Sequence, residues 1–267
     1  MARVRYARSL RDLERDVSLA EAPPRALGVR SIRCVYESDA EVVQAVVPRP
    51  LEASPQAEVV VAIEALEWAL SADVSVRFRS ATFGVRVEYE GQPGFYPLTM
   101  PVDSEQVLVV GRERFGEPRK LAEISLDGPT TEGMVSASVE RGGIRFLAAT
   151  GRLGEALGAR EETEHAYCFK AFPSGDGRKG FDQDPQLVRL DLVHRFDRVW
   201  RLSGGLELWE SAYDPVADLP LRRLSDLVYA EGTTLRSGRA LRPVPGEWLR
   251  PFLHQRYDVP DVEGVDV

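Results

Sequence analysis

The chain has 267 residues and a formal net charge of −8, with 42 Asp and Glu against 34 Lys and Arg. Its basic residues are scattered, which excludes a surface built to neutralise many phosphates, so no nucleic-acid partner is expected. Two cysteines, Cys34 and Cys168, imply no disulfide framework, and neither they nor His165, His194 and His254 stand at metal-ligand spacing, so the expectation is a cytoplasmic protein with no metal and no cofactor.

From the N-terminus, "MARVRYARSLRDLERDVSLAEAPP" carries Arg11, Asp12, Glu14, Arg15 and Asp16, which interrupt any apolar run of a signal peptide. Tyr6, Leu10, Leu13 and Val17 recur at three- and four-residue spacing and predict a short amphipathic helix in an N-terminal segment, 1–25, that "APP" stops. A second helix is predicted in "SDAEVVQAVVPRPLE": Ser38 or Asp39 caps it, Glu41 lies in its first turn, Pro48 ends it, and Ala40, Val43 and Val47 form its apolar face.

Strand signals follow in "AEVVVAIEAL", "DVSVRFRSATFGVRVEYEGQPGFYPLTM", "EQVLVVG", "GMVSASVERGGIRFLAAT", "AYCFKAFPS", "QLVRLDLVHRFDRVWRLSG" and "GLELWES". Val74, Val76 and Phe78 alternate with Ser75, Arg77 and Arg79, as one buried face requires. Gly91 to Gly94 and Gly142-Gly143 read as hairpin turns. A helix is predicted around 221–228, and residues 255–267 read as a flexible acidic tail. The longest apolar runs, at 59–63 and 107–110, have strand length, far below the roughly 20 residues of a spanning helix. No linker or repeat divides the chain, so one domain, 1–267, of mainly antiparallel α+β type is expected.

Lys120, Lys170 and Lys179 are the only lysines. Lys179, in the loop "SGDGRKG", and Lys170, on a predicted strand, read as solvated charges. Lys120 follows Arg119 in "GRERFGEPRKLAEI". A lysine attacks a carbonyl only when neutral, and its ordinary pKa of about 10.4 keeps it charged unless burial or an adjacent cation lowers it. Arg119 is such a cation, and it cannot itself form an imine. Gly111 and Gly116 form no phosphate loop, since the Lys-Ser/Thr that would follow is missing, and they read as allowances for a tight turn. Trp68, Trp200, Trp209 and Trp248 read as core or subunit-interface residues.

"CVYESDAEVVQAVVPRPLE", "VLVVGRERFGEPRKL", "YCFKAFPSGDG" and "YDPVADLP" occur in that order, and together they resemble the acetoacetate decarboxylase family from about residue 30 to about residue 235. The resemblance implies curved sheets in a barrel- or cone-like fold around a small apolar pocket, a small carbonyl or carboxylate substrate, no cofactor, no membrane and a homo-oligomer. In the family pattern "PKKL" the imine-forming lysine directly follows the proline. Here that position holds Arg119, and Lys120 takes the place of its neighbour.

Two outcomes are open: Lys120 enters the pocket with Arg119 as its perturbing cation, or Arg119 faces the pocket and anchors a carboxylate or enolate by charge. The family's pocket glutamate before the hairpin falls at or near Ser80, where there is no carboxylate, while Glu64 aligns with a second acidic pocket position. Arg112 and Glu113 match family positions around the site. The expectation is a diverged lyase, dehydratase or cyclase for a keto acid, with a natural-product role open, catalytic Arg119 and Lys120, and Arg112, Glu113, Glu64 and Ser80 binding substrate. The alternatives are a Schiff-base decarboxylase or aldolase-dehydratase using Lys120, and a non-catalytic carboxylate-binding protein.

Overall fold

Along Glu58–Ala69 both phases of the alternation are apolar: Val59, Val61 and Ile63 in one, Val60, Ala62 and Leu66 in the other. Such a strand must be covered on both faces. The computed structural model, which describes residues 6–14, 26–69, 75–176 and 180–258, shows what covers it.

Seven strands make a closed ring. In spatial order they are β10 (Arg160–Lys170), β5 (Gln92–Val102), β4 (Ser75–Tyr89), β3 (Glu58–Ala69), β1 (Leu27–Glu37), β12 (Arg223–Pro243) and β11 (Gln186–Leu208), and β11 pairs back onto β10. Closure leaves the ring no free edge. Neighbours run antiparallel except β5 with β10, and the short β6 (Arg119–Leu121) lies parallel to β5. Past bulges at Phe196/Arg198 and Trp200/Leu202, β11 leaves the ring and pairs with β9 (Ile144–Ala156), followed by β8 (Met134–Arg141) and β7 (Glu123–Asp127). A two-residue strand, β2 (Glu52–Ala53), pairs with β4.

The outward phase of β3 and β4, including Val59, Val61, Ile63, Phe83 and Val85, packs with Val135, Ala137 and Val139 of β8 in the main core. The other phase points into the ring and lines a cavity: Val60, Ala62, Glu64 and Leu66 from β3, Phe78, Ser80 and Thr82 from β4, Leu190, Leu192 and His194 from β11, Thr234 and Arg236 from β12. The expected mainly antiparallel, barrel-like fold is thus observed.

The predicted hairpins form. Glu90 (φ 51°) with Gly91 (φ 74°), and Gly142 (φ 59°) with Gly143 (φ 79°), supply the positive-φ pairs that match strand twist. Gly94 lies beyond its turn, on β5, where a Cβ would meet the Tyr167 ring at 2.6 Å. The second predicted helix forms as α1 (Ala40–Ala45), with Val43 buried, although the Asp39 carboxylate bonds Arg222 instead of capping it. At the N-terminus residues 10–14 are helical, residues 6–9, with Tyr6, are not, and residues 15–25 lie outside the described residues.

Three expectations are corrected. "EQVLVV" is a helix, α2 (Glu105–Val110), because Ser104 caps its start through Val107 N and its run of valines is not covered on both faces: Val109 and Val110 are exposed. Residues 223–228 belong to β12, where pairing with the whole of β1 outweighs the helix-like spacing of Leu221, Leu224 and Val228. The segment after β12 is not free through its first part: α3 (Gly246–Leu249) and a 3-10 turn (Arg250–Arg256) lead to a half-buried Arg256, whose guanidinium donates to the carbonyls of Gly116 (2.6 Å) and Phe169, and to Asp258, which pairs with Lys120 and Arg141. Residues 259–267 lie outside the described residues. Among the described residues no helix is long and apolar enough to cross a membrane.

Candidate active site

The segment that carries "GRERFGEPRKL" starts as α2, widens into a π-helical turn at Gly111–Phe115, reverses at Gly116 (φ 74°) and enters the ring wall as β6. Both glycines are required sterically. A Cβ on Gly111 would stand 2.5 Å from Arg119 Cδ and Nε, and one on Gly116 2.5 Å from Lys170 Cα in a left-handed conformation that side chains rarely adopt.

In β6 Arg119 stands opposite Met100 and Lys120 opposite Pro101. Consecutive strand residues face opposite ways, and the two side chains separate accordingly. Arg119 lines the cavity and Lys120 does not.

The Arg119 guanidinium is fixed on two sides. Nε donates to Glu117 Oε2 (2.7 Å), Nη2 to Glu117 Oε1 (3.3 Å) and Nη1 to Ser80 Oγ (3.1 Å). These contacts engage three of its roughly five N–H groups. Arg236 also reaches Glu117 Oε1 (2.5 Å), and its guanidinium lies over the Phe115 ring, 4.7 Å from the centroid. Burial pushes the Glu117 carboxyl up, but Arg119 and Arg236 outweigh it and hold the pKa at about 2, so Glu117 is ionised between two cations.

Lys120 points the other way. Its Nζ donates to Tyr213 O (2.7 Å) and lies 3.3 Å from Asp214 and 3.4 Å from Asp258. Asp214, from "YDPVADLP", also accepts from Thr99 (2.9 Å) and Arg141 (2.7 Å). That motif therefore anchors the back of β6.

Farther round the wall, Arg33 pairs with Glu164 and lies 3.7 Å from Glu64, while Arg86 meets Glu164 at 3.2 Å. Burial works against the charge on Arg33, but Glu164, Glu64 and Glu162 hold its pKa above the ordinary value. Burial likewise works against the Glu164 carboxylate, and Arg33, His194 and Arg86 overcome it and hold its pKa far below the usual range. Four arginines and three glutamates line the cavity, which leaves one positive charge in excess with His194 counted as neutral. The cavity holds about 130 Å³. An apolar cavity of about 150 Å³ accommodates benzene, so the space suits a ligand of roughly six non-hydrogen atoms. The arrangement can therefore take a small monoanion and hold its charge on a fixed guanidinium.

Of the residues singled out in the sequence, Arg119, Ser80 and Glu64 meet at this cavity. Lys120, Arg112 and Glu113 do not. Arg112 instead braces backbone, donating to Arg119 O (3.1 Å) and Arg256 O (3.3 Å), and Glu113 is exposed. Lys170 lies 5.7 Å from the Phe172 ring, none of the four tryptophans lines the cavity, and Lys179 lies outside the described residues. Sequence reading missed Arg33, Arg86, Glu117, Glu164, His194 and Arg236. One signal was available: His194 stands in phase with Leu190, Leu192 and Phe196, an inward position on β11. Among the described residues no group of three or more His, Cys, Asp or Glu could hold a metal ion.

Comparison with known proteins bears on the fold. Residues 14–244 match the sequence model of acetoacetate decarboxylase. Acetoacetate decarboxylase of Burkholderia cenocepacia (strain HI2424) is 31% identical over 193 residues, 70% of this chain and 74% of its own length. Among solved structures, acetoacetate decarboxylase from Legionella pneumophila superposes with a TM-score of 0.68 at 21% identity, covering 91% of this chain and 99% of the other. The enduracididine biosynthesis enzyme MppR complexed with pyruvate superposes with a TM-score of 0.70 at 18% identity, covering 83% and 91%.

Proposed function

The chain belongs to the acetoacetate decarboxylase family, and on that premise we propose that it is an enzyme for a small oxo acid or related carbonyl compound that works without an imine. The observation that carries this reading is the division at β6: Arg119 lines the cavity and Lys120 is ion-paired behind it. A guanidinium forms no imine, so the electron sink of a decarboxylation, dehydration or aldol step is the substrate carbonyl itself. As a bond to the adjacent carbon breaks, its electron pair moves to that oxygen, and a fixed cation favours the resulting enolate over the uncharged ground state. Glu117 and Ser80 hold Arg119 before substrate arrives, so little reorganisation is needed at the moment of reaction.

An imine at Lys120 would require Nζ to leave Tyr213 O and Asp214 and cross to the other face of β6, and the pairing at β6 speaks against it. The cavity size and its single excess positive charge favour a substrate with one carboxylate. Self-association goes with the same reading, because Val109, Val110 and Leu121 are exposed around the site segment.

The test is turnover of acetoacetate, and of pyruvate and 2-oxobutyrate each supplied with acetaldehyde as aldol acceptor, followed by NMR on wild type and Arg119→Gln. Loss of one fixed charge-stabilising donor predicts a fall in kcat of about 10²- to 10³-fold. Binding of these acids without any turnover in wild type would favour a carboxylate-binding protein instead. Unchanged turnover in Arg119→Gln would reject the role given to Arg119.

A further inference from the structure

His194 is buried to 3% exposure on the inward face of β11, with its ring stacked on Phe196 at 5.3 Å between centroids and 6° between planes. Nε2 lies 3.5 Å from Glu164 Oε2, at the outer limit of a hydrogen bond. Glu164 is in turn fixed by Arg33 and by Arg86. Neither ring nitrogen makes a hydrogen bond among the described residues, and neither does Thr234 Oγ1, which stands directly opposite His194 in the β11–β12 register. His194, Glu164, Arg33, Arg86 and Thr234 all line the cavity that Arg119 lines. A histidine that served only the core would have its polar atoms paired, whereas this one leaves both ring nitrogens without a hydrogen bond and, with Thr234, lines a cavity sized for a ligand.

We propose that His194, oriented by Glu164, is the acid–base residue of this cavity. The inference rests on the oxo-acid reading given above. Neutral His194, with its proton on Nε2 toward Glu164, presents the Nδ1 lone pair to the carbon next to the substrate carbonyl. Nδ1 takes a proton from that carbon, the C–H electron pair forms a C=C bond, and the carbonyl π pair moves to oxygen as an enolate held by Arg119. Return of the proton from Nδ1 to carbon restores the carbonyl. Glu164 stabilises the imidazolium in between and keeps the ring orientation, and Thr234 supplies a hydroxyl to a polar substituent of the ligand.

The experiment uses the full chain in D2O with pyruvate and 2-oxobutyrate, reading loss of the proton signals beside the carbonyl by NMR. Wild type is expected to accelerate exchange over buffer, and His194→Gln to lose at least 10²-fold of that acceleration, in line with the usual contribution of a positioned acid–base group. Exchange by His194→Gln within threefold of wild type overturns the proposal and leaves the oxo-acid reading standing. Absence of exchange in wild type with both acids overturns both. A second measurement needs no folded variant: with ¹⁵N-histidine-labelled wild type, saturating pyruvate should shift the His194 Nδ1 signal and leave His165 and His254 in place. Bound pyruvate with an unmoved His194 signal also overturns it.

Discussion

Lys120→Met separates the two neighbours in β6 by effect. Lys120 is 7% exposed, and removing it leaves Asp214, fully buried, with one cation fewer. Breaking a buried ion pair from one side costs about 3–5 kcal/mol when the remaining charge has no other partner. Asp214 keeps Arg141 at 2.7 Å and Thr99 at 2.9 Å, so the expected loss falls to about 2–3 kcal/mol. For a chain of this size that lowers Tm by roughly 4–12 °C. Scanning calorimetry gives the melting shift, and titration calorimetry with pyruvate at a temperature where the variant is folded gives Kd. The expected result is a clear loss of stability with Kd changed less than twofold, since Lys120 does not line the cavity. An unshifted Tm together with abolished binding would mean the opposite, that Nζ serves the ligand and not the fold.

Glu117→Gln should alter the acid limb of stability. With a carboxyl pKa near 2 in the folded chain against an ordinary 4.5, Glu117 stabilises fully above about pH 4.5 and loses that contribution as pH falls toward 2. Denaturant titrations across that window should show wild type losing on the order of 3 kcal/mol that the variant does not lose, and parallel curves would contradict the paired state of Glu117. Gly111→Ala places a methyl group 2.5 Å from Arg119 Cδ and Nε. Overpacking of this kind costs about 1–3 kcal/mol, and displacement of the guanidinium should weaken pyruvate binding as well; wild-type affinity in this variant would show that the turn and Arg119 are independent.

The ring was legible wherever one strand carried its own evidence. The apolar run 59–63 announced a strand, and Gly91 and Gly142-Gly143 announced their hairpins. Local pattern failed where distant partners decide. Residues 223–228 have helix-like leucine spacing, yet Leu224 and Leu227 stand against Tyr36 and Cys34 of β1, and "VLVV" reads as a strand although Ser104 starts a helix there. At the site, the change from lysine to arginine after Pro118 was visible, but the direction of each side chain depended on the register of β6 against Met100 and Pro101. The Arg33, Arg86 and Glu164 cluster was not visible at all, because its members come from three strands that only ring closure brings together.

Borohydride trapping shows whether any lysine of this chain forms an imine with an oxo acid. Wild type is incubated with pyruvate or acetoacetate, reduced and digested, and because only three lysines are present each adduct identifies its own residue. With Arg119 lining the cavity and Lys120 held by Asp214 and Tyr213, no reduced adduct is expected at Lys120 while the acids still bind. A stoichiometric adduct on the Lys120 peptide would contradict this.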